Sequence, residues 1–439
     1  MKLSSWGRYP ISDSTECRPR NNAALAAALA QTLHTHSADS SCIARGMGRS
    51  YGDSALAPWV HTTTALDHFI SFDENEGLLR CAAGTTLENI LRVMMPRGWF
   101  LPVVPGTWHV SVGGAIASDV HGKNHHLDGS FSQHVESLRL MLASGEIQQC
   151  SAQENPHLFH ATCAGMGLTG VITDATLRLR RVHSSAILQR TLRASNLDDV
   201  FALFEAHHDT RYSVAWLDCL ARGSALGRSL LYLGEHADDE GFSPIGNSRV
   251  SVPFTTPAFL LNRYSMSLFN SAYYHKPVRN ALEQRIEAKQ YFFPLDSIQH
   301  WNRLYGKRGF LQYQCVIPDA TALPAMREIL TRISDAGKGS FLSVLKKLGP
   351  ANHNLLSFPL AGYTLALDFK FEPAILPLLD TLDQIVLEHG GRLYLAKDAR
   401  MSQDMFRRSY PRWEEMAQIR AQTGADRLFH SLQSRRLGL

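Results

Sequence analysis

The chain carries almost no excess of either charge: 44 Lys and Arg stand against 40 Asp and Glu, a formal +4 over 439 residues. That balance excludes the basic footprint of a nucleic-acid binder and leaves room only for a local patch that meets a phosphate or an anionic lipid. Cysteines are few and scattered. The seven (Cys17, Cys42, Cys81, Cys150, Cys163, Cys219 and Cys315) are odd in number and never spaced C-x-x-C. This argues against a zinc site or a disulfide framework and for a reducing compartment. The N-terminal MKLSSWGRYP lacks a continuous apolar core, so no signal peptide is expected. The most membrane-like stretch, Gly98 to Ser118, holds two prolines and four glycines besides His109. It predicts a turn-rich buried site in place of a spanning helix. A cytoplasmic protein is expected, at most peripheral on the inner face of the membrane. With 44% apolar and 19% charged residues, a disordered or collagenous chain is excluded. The length calls for two or three cores, and no internal repeat stands out.

What is present is an α+β texture. In the first third, short apolar runs bounded by Gly, Pro or Asp predict strands at Ser41 to Ala44, Leu78 to Ala83, Phe100 to Val104, Leu138 to Leu142 and Gly170 to Leu177. Helices are predicted over Asn22 to Leu33, over Thr86 to Met95 with Thr86 as cap and Gly98 just past the end, and from Asn155-Pro156. The texture changes near Arg181 to Ser185. A strand follows at Tyr212 to Leu217, then a weakly patterned excursion from Ala221 to Leu261, then the uncharged aromatic segment Tyr264 to Tyr274. Gly309 to Ile317 and Arg392 to Ala396 read as strands. Pro324 to Ala336 and Pro373 to Glu388 read as helices, and Met401 to Leu439 has helical spacing.

Three glycine-rich segments carry the chemistry. The first runs Arg45-Gly46-Met47-Gly48-Arg49-Ser50-Tyr51-Gly52-Asp53, a nest of backbone N–H groups suited to phosphate oxygens. It follows neither the G-x-x-x-x-G-K-[ST] nor the G-x-G-x-x-G order. The second runs from Pro105-Gly106-Thr107 through Val112-Gly113-Gly114 and Ala117 to His121-Gly122-Lys123-Asn124-His125-His126. Its small residues allow a flat or phosphorylated ligand to approach the backbone. Its histidines lack the H-E-x-x-H spacing of a metal helix, so no metal is expected. The third is Gly165-Met166-Gly167-Leu168-Thr169-Gly170-Val171-Ile172. Three such clusters in strand–turn contexts predict an extended cofactor cradled by backbone.

Together, RGMGRSYGD, PGTWHVSVGGAIASDVHGKNHH and GMGLTGVI resemble the flavin-binding domain of the vanillyl-alcohol-oxidase-like, or PCMH-type, family. The likeness extends through VAWLD, GFLQYQCVIP, FLSVLKKLGP, LSFPLAGYTLALDF and GGRLYLAKDAR to a branch that oxidises a polyprenylphosphoryl ribose. It implies a two-part FAD-binding domain, residues 1–184 and 392–439, with an α+β substrate domain inserted at 185–391. FAD is expected to be noncovalent. By the same resemblance residues 45–51 and 105–117, then 121–124, and 165–172 from the other side, hold FAD, joined by Tyr394 and Lys397. Tyr51, His121 and Lys123 would meet Trp216, Tyr313, Gln314, Lys346, Lys397 and Asp398 in the active site.

The implied reaction takes the C2 hydroxyl to a 2-keto sugar, the first half of a ribose-to-arabinose epimerisation. Its partners would be an NAD(P)H-dependent reductase of short-chain-dehydrogenase type and a quinone-like electron acceptor. Pro257 to Tyr274 is the candidate membrane contact. Relatives of the fold that oxidise a soluble sugar, alditol or aldonolactone supply the alternative activity. The sequence departs from the branch at Val214 for serine, at Thr364 for asparagine, and at Ala366 for the cysteine that nitroaromatic inhibitors attack in mycobacterial members.

Overall fold

The computed structural model describes residues 1–34, 41–239, 241–243, 246, 250–278 and 282–439. Beyond the short pair Lys2–Ser4 and Ile11–Asp13, the first third builds most of two larger sheets. Strands Thr15–Cys17, Trp59–Thr62 and Cys42–Arg45 lie parallel in that order, beside the alanine-rich helix Asn22–His34. An antiparallel sheet follows the order Ile147–Cys150, Val135–Met141, Val171–Arg178, Leu78–Ala82, Phe69–Asp73. Helix Leu87–Met94 packs beside it. Thr86 caps that helix, accepting from the Asn89 N–H, and Leu87, Ile90, Leu91 and Met94 turn one face inward.

The middle of the chain forms an eight-stranded antiparallel sheet. Its order is Gln284–Glu287, Ala186–Ala194, Ser229–His236, Tyr212–Leu217, Ser343–Leu348, Gly362–Lys370, Phe310–Pro318, Arg392–Leu393. Helix Asp319–Ala336 covers one face. Its buried Ala322, Ala325, Met326, Ile329, Leu330 and Ile333 follow the three-and-four spacing of an apolar stripe. Each of the four larger side chains contributes about 1.5–3 kcal/mol by leaving water. The other face of the sheet is open. Trp216, Val344, Ala366 and Gln314 are successive cross-strand partners on it, so four strands far apart in sequence present one row of side chains.

Several elements differ from the sequence reading. The strand expected over Phe100 to Val104 is only Trp99–Phe100, because Pro102 and Pro105 cannot donate to a ladder. The excursion Ala221 to Leu261 contains the sheet strand Ser229–His236. That strand is buried on both faces, so its run SLLYLG does not alternate. Residues 240, 244–245 and 247–249 of the excursion lie outside the described residues. Tyr264 to Tyr274 is a helix, Arg263–Tyr274, capped by the Asn262 side chain. The helix expected from Pro324 begins at Asp319: a proline this near the start forfeits a single bond to the carbonyl four residues back.

The C-terminal segment closes the molecule. After the edge strand Arg392–Leu393 the chain turns through Lys397 and Asp398, and helix Leu432–Leu437 returns to the first third. There Arg436 bonds both Asp53 (2.8 Å) and Asp398 (2.9 Å). Among the described residues no helix is long and apolar enough to cross a membrane.

Candidate active site

A cavity of about 880 Å³ lies between the glycine-rich segments and the open face of the large sheet. Its first wall is the 46–51 turn. Gly48 holds φ +61°, a left-handed conformation that costs glycine little, and folds the turn back over the Arg45 guanidinium. The second wall is the short helix Val112–Ala117. Ser111 caps it by accepting from the Gly114 N–H at 3.3 Å, and glycine at 113 lets it sit against Ala83. The third wall is the 166–172 segment. A side chain at Gly106 would project into open cavity. A long channel walled by backbone and small residues fits a dinucleotide cofactor.

Most residues expected at the cofactor reach this cavity: 46–51, 105–107, 113, 114, 117, 121, 122, 167, 170–172, 394 and 397 line it. Four stand behind the wall. Arg45 donates to the carbonyls of Ser4 (2.7 Å) and Ala55 (3.2 Å). Val112 is buried in the core. Asn124 bridges the Pro102 carbonyl and Asp128. Gly165 packs against the Ala161 carbonyl. Two residues expected among the catalytic groups also face away. Tyr313 lies between Gln312 and Gln314 on one strand, so the alternation of side chains sends it to the opposite face, near Arg400. Asp398 accepts from the N–H groups of Arg400 and Met401 and from Arg436, and so braces the turn that carries Lys397.

The remaining catalytic candidates converge. His121 Nε2 lies 3.0 Å from the Gln314 amide nitrogen, which also donates to Thr364 Oγ1 at 3.2 Å. The imidazole therefore accepts at Nε2. Burial, reinforced by the Lys346 charge, holds it well below the usual histidine range, so it stays neutral. Phe358 stacks on Tyr394 at 4.7 Å and both flank the His121 ring. Lys397 Nζ sits 3.9 Å over the Tyr51 ring. The Tyr51 hydroxyl is pushed well above its usual value by burial and the Asp368 charge, which keeps it protonated. Trp216 is fixed by its Nε1–H, which donates to the Phe341 carbonyl at 3.0 Å.

Four lysines line the cavity, Lys123, Lys276, Lys346 and Lys397, and three of them are shifted far from the usual lysine value. Burial, with repulsion from Lys346, brings Lys123 down to about 7. Burial alone brings Lys346 to about 8. Burial likewise brings Lys397 to about 7, with Asp368 pulling the other way and Lys346 adding to the fall. A lysine at such a value exchanges a proton near neutral pH, which an exposed lysine does not.

Sequence reasoning missed several contributors. Asp296 accepts from the Thr107 hydroxyl (2.8 Å) and the Trp108 N–H (2.9 Å), anchoring the second glycine segment from a position far along the chain. Tyr291 receives Lys123, whose ammonium donates to its carbonyl and lies 4.2 Å over its ring. Trp6 stacks under Arg49 at 4.2 Å. Nothing in the local sequence distinguishes these residues from ordinary core.

Residues 16–151 match the FAD binding domain family. The decaprenylphosphoryl-β-D-ribose oxidase of Mycolicibacterium smegmatis is 36% identical over 413 residues, 90% of this chain and 89% of the relative. An uncharacterised protein of Streptomyces coelicolor is 33% identical over 81% of this chain and 100% of its own length. The L-gulono-1,4-lactone dehydrogenase of Mycobacterium tuberculosis is 24% identical over 99% of this chain and 98% of the relative. The match over about nine-tenths of both chains, with a cavity whose walls fit a dinucleotide, makes this chain an FAD-dependent oxidoreductase acting on a CH–OH group and a member of the decaprenylphosphoryl-β-D-ribose oxidase family within the PCMH-type flavoproteins.

Proposed function

We propose that the chain oxidises the C2 hydroxyl of a polyprenylphosphoryl ribose to the 2-keto sugar. The observation that carries this reading is the match to the Mycolicibacterium smegmatis oxidase over nine-tenths of both chains, through the sheet strands as well as the glycine segments. FAD, when bound, would supply the hydride acceptor for C2. Residues 46–51, 105–107, 113, 114, 117, 121, 122, 167 and 170–172 would hold it, without a covalent link. Lys397 takes the hydroxyl proton. Gln314, Lys346 and Trp216 orient the sugar, and Phe358 and Tyr394 exclude water. Residues 1–184 with 392–439 form the cofactor unit, and 185–391 the substrate unit. A quinone-like acceptor would take the two electrons on from the cofactor, and a separate NAD(P)H-dependent reductase of short-chain-dehydrogenase type would return the ketone as the arabino epimer. The work is done in the cytoplasm, against the inner face of the membrane.

Anaerobic bleaching of the flavin tests the reading. Prenylphosphoryl ribose should bleach it within seconds at micromolar concentration, with free pentoses and aldonolactones at least about a hundredfold poorer in kcat/KM, a margin of about 2.7 kcal/mol. The same preparation, precipitated with acid, should leave a colourless pellet and a yellow supernatant. The second reading, oxidation of an aldonolactone, is favoured by the full-length likeness to the L-gulono-1,4-lactone dehydrogenase. Bleaching by lactones and not by the lipid-linked sugar would establish it instead.

A lipid-linked substrate has to be met at a surface. Phe259 (74% exposed), Leu260, Tyr264, Leu268 and Phe269 form an apolar patch on helix Arg263–Tyr274 and the turn before it, beside the cavity. Patches of this kind on a monomer mark contact sites. Liposomes should float the wild type, and the double variant Leu260→Ser, Phe269→Ser should lose at least half of that bound fraction. Equal flotation of the two proteins removes the membrane contact.

A further inference from the structure

The mouth of the cavity carries a cation that neither the cofactor site nor the chemistry uses. Lys276 stands two residues past helix Arg263–Tyr274 and lines the cavity with Trp216, Tyr232 and Tyr273. Its backbone is pinned: the Arg193 guanidinium donates to the Lys276 carbonyl at 2.8 Å, and the Tyr274 hydroxyl donates to the Ala194 carbonyl at 3.2 Å. Its side chain is aimed as well. Nζ donates to the Tyr232 hydroxyl at 2.9 Å and lies 4.0 Å from the centre of the Tyr273 ring. The two tyrosine hydroxyls bond each other at 2.9 Å, and Tyr273 packs 4.6 Å from Trp216.

An ammonium has three N–H donors, and the tyrosine pair engages one. Among the described residues no carboxylate pairs with Lys276. A pre-aimed cation with donors to spare, flanked by two hydroxyls, is a site for an anionic oxygen group.

Position selects which anion. Outward lies the exposed apolar face of the same helix, with Leu268 and Phe269. Phe269 stacks on Tyr273 at 5.9 Å. Inward lies the row Trp216, Val344, Ala366, Gln314 that leads to His121. The order along this path is apolar surface, cation with two hydroxyls, polar pocket. A prenylphosphoryl sugar has the same order of chain, phosphate and sugar. We infer that Lys276, with Tyr232 and Tyr273, is the subsite for the phosphate that joins lipid to sugar. The inference rests on the proposed substrate class and specifies which residues read its phosphate.

Two probes of equal chain length separate this from a packing role: farnesylphosphoryl-β-D-ribose and the uncharged farnesyl β-D-riboside, each used to bleach the FAD enzyme anaerobically. Lys276→Gln should raise the half-saturating concentration of the phosphorylated probe roughly tenfold to a hundredfold, the scale of a lost charge-assisted hydrogen bond. Its effect on the neutral probe should be at least about tenfold smaller. Lys276→Arg should recover most of the loss, because it keeps the charge, and Tyr273→Phe should show a weaker version of the same selectivity. An equal change for both probes, or none for either, overturns the subsite even if Lys276→Gln unfolds in part, since FAD content and melting are read on the same samples. If the wild type is bleached by neither ribose probe, the substrate reading falls and the subsite falls with it.

Discussion

Replacing Lys397 by alanine should slow flavin reduction by saturating substrate roughly a hundredfold or more, the scale of lost general acid–base help, while FAD content and the melting transition stay near wild type. The expectation rests on three features of one residue. Lys397 lines the cavity with His121 and Gln314. Its Nζ lies over the Tyr51 ring, a position fixed because the Tyr51 N–H donates to the Ala396 carbonyl at 3.0 Å. Burial brings it to about 7, so about half of it is neutral and able to accept a proton at that pH. The alternatives are poorer bases. Tyr51 stays protonated, and His121 Nε2 is taken up by Gln314.

The pH profile follows with a definite sign. Only the neutral amine accepts the hydroxyl proton, so the reduction rate should rise with pH through about 7 and then level off. In Lys397→Ala that rise should vanish. Rapid-mixing absorbance under anaerobic conditions measures both. Reduction within about threefold of wild type, or an unchanged pH rise, removes Lys397 from the proton transfer.

Arg436→Ala should cost about 3–5 kcal/mol of stability, the scale of stripping the partner from a buried carboxylate. The guanidinium is shared: it reaches Asp53, whose side chain is 5% exposed, and Asp398, at 3%. Without it two buried carboxylates lie close together, with only backbone N–H groups to meet Asp398. Burial pushes the Asp398 carboxyl up, but Arg436 and those N–H groups outweigh it and hold the group below its usual range. A depressed carboxyl stabilises above its unfolded pKa and loses that contribution as pH falls through its folded value. Through Asp398, wild type should therefore weaken toward acid more than Arg436→Ala does, while Asp53, which burial holds above its usual range despite Arg436, contributes with the opposite sign. Urea titration followed by far-ultraviolet circular dichroism and flavin fluorescence reports both quantities. A loss under about 1 kcal/mol, the level of an exposed ion pair, would show that the tail does not hold the Lys397 turn in place.

The glycine segments were legible in the sequence because their work is local. A left-handed Gly48, a capped start at Ser111 and an open Gly106 depend on neighbours a few residues away, and local backbone chemistry is what residue order encodes directly. The apolar spacing of Asp319–Ala336 is of the same kind. Strand register is not. Trp216, Val344, Ala366 and Gln314 share one row only because strands as far apart as those of Trp216 and Val344, 128 residues, pair in one alignment, and a slip of a single residue would have turned each to the other face. Tyr313 marks the boundary: the family resemblance put it in the pocket with Gln314, while strand alternation sends it to the core. The three depressed lysines belong wholly to the tertiary level. A lysine in sequence is an exposed cation by default. Lys123, Lys346 and Lys397 become proton-exchanging groups because folding removes their water and sets their charges near one another, and desolvation is a property of the packed enclosure that no single segment carries.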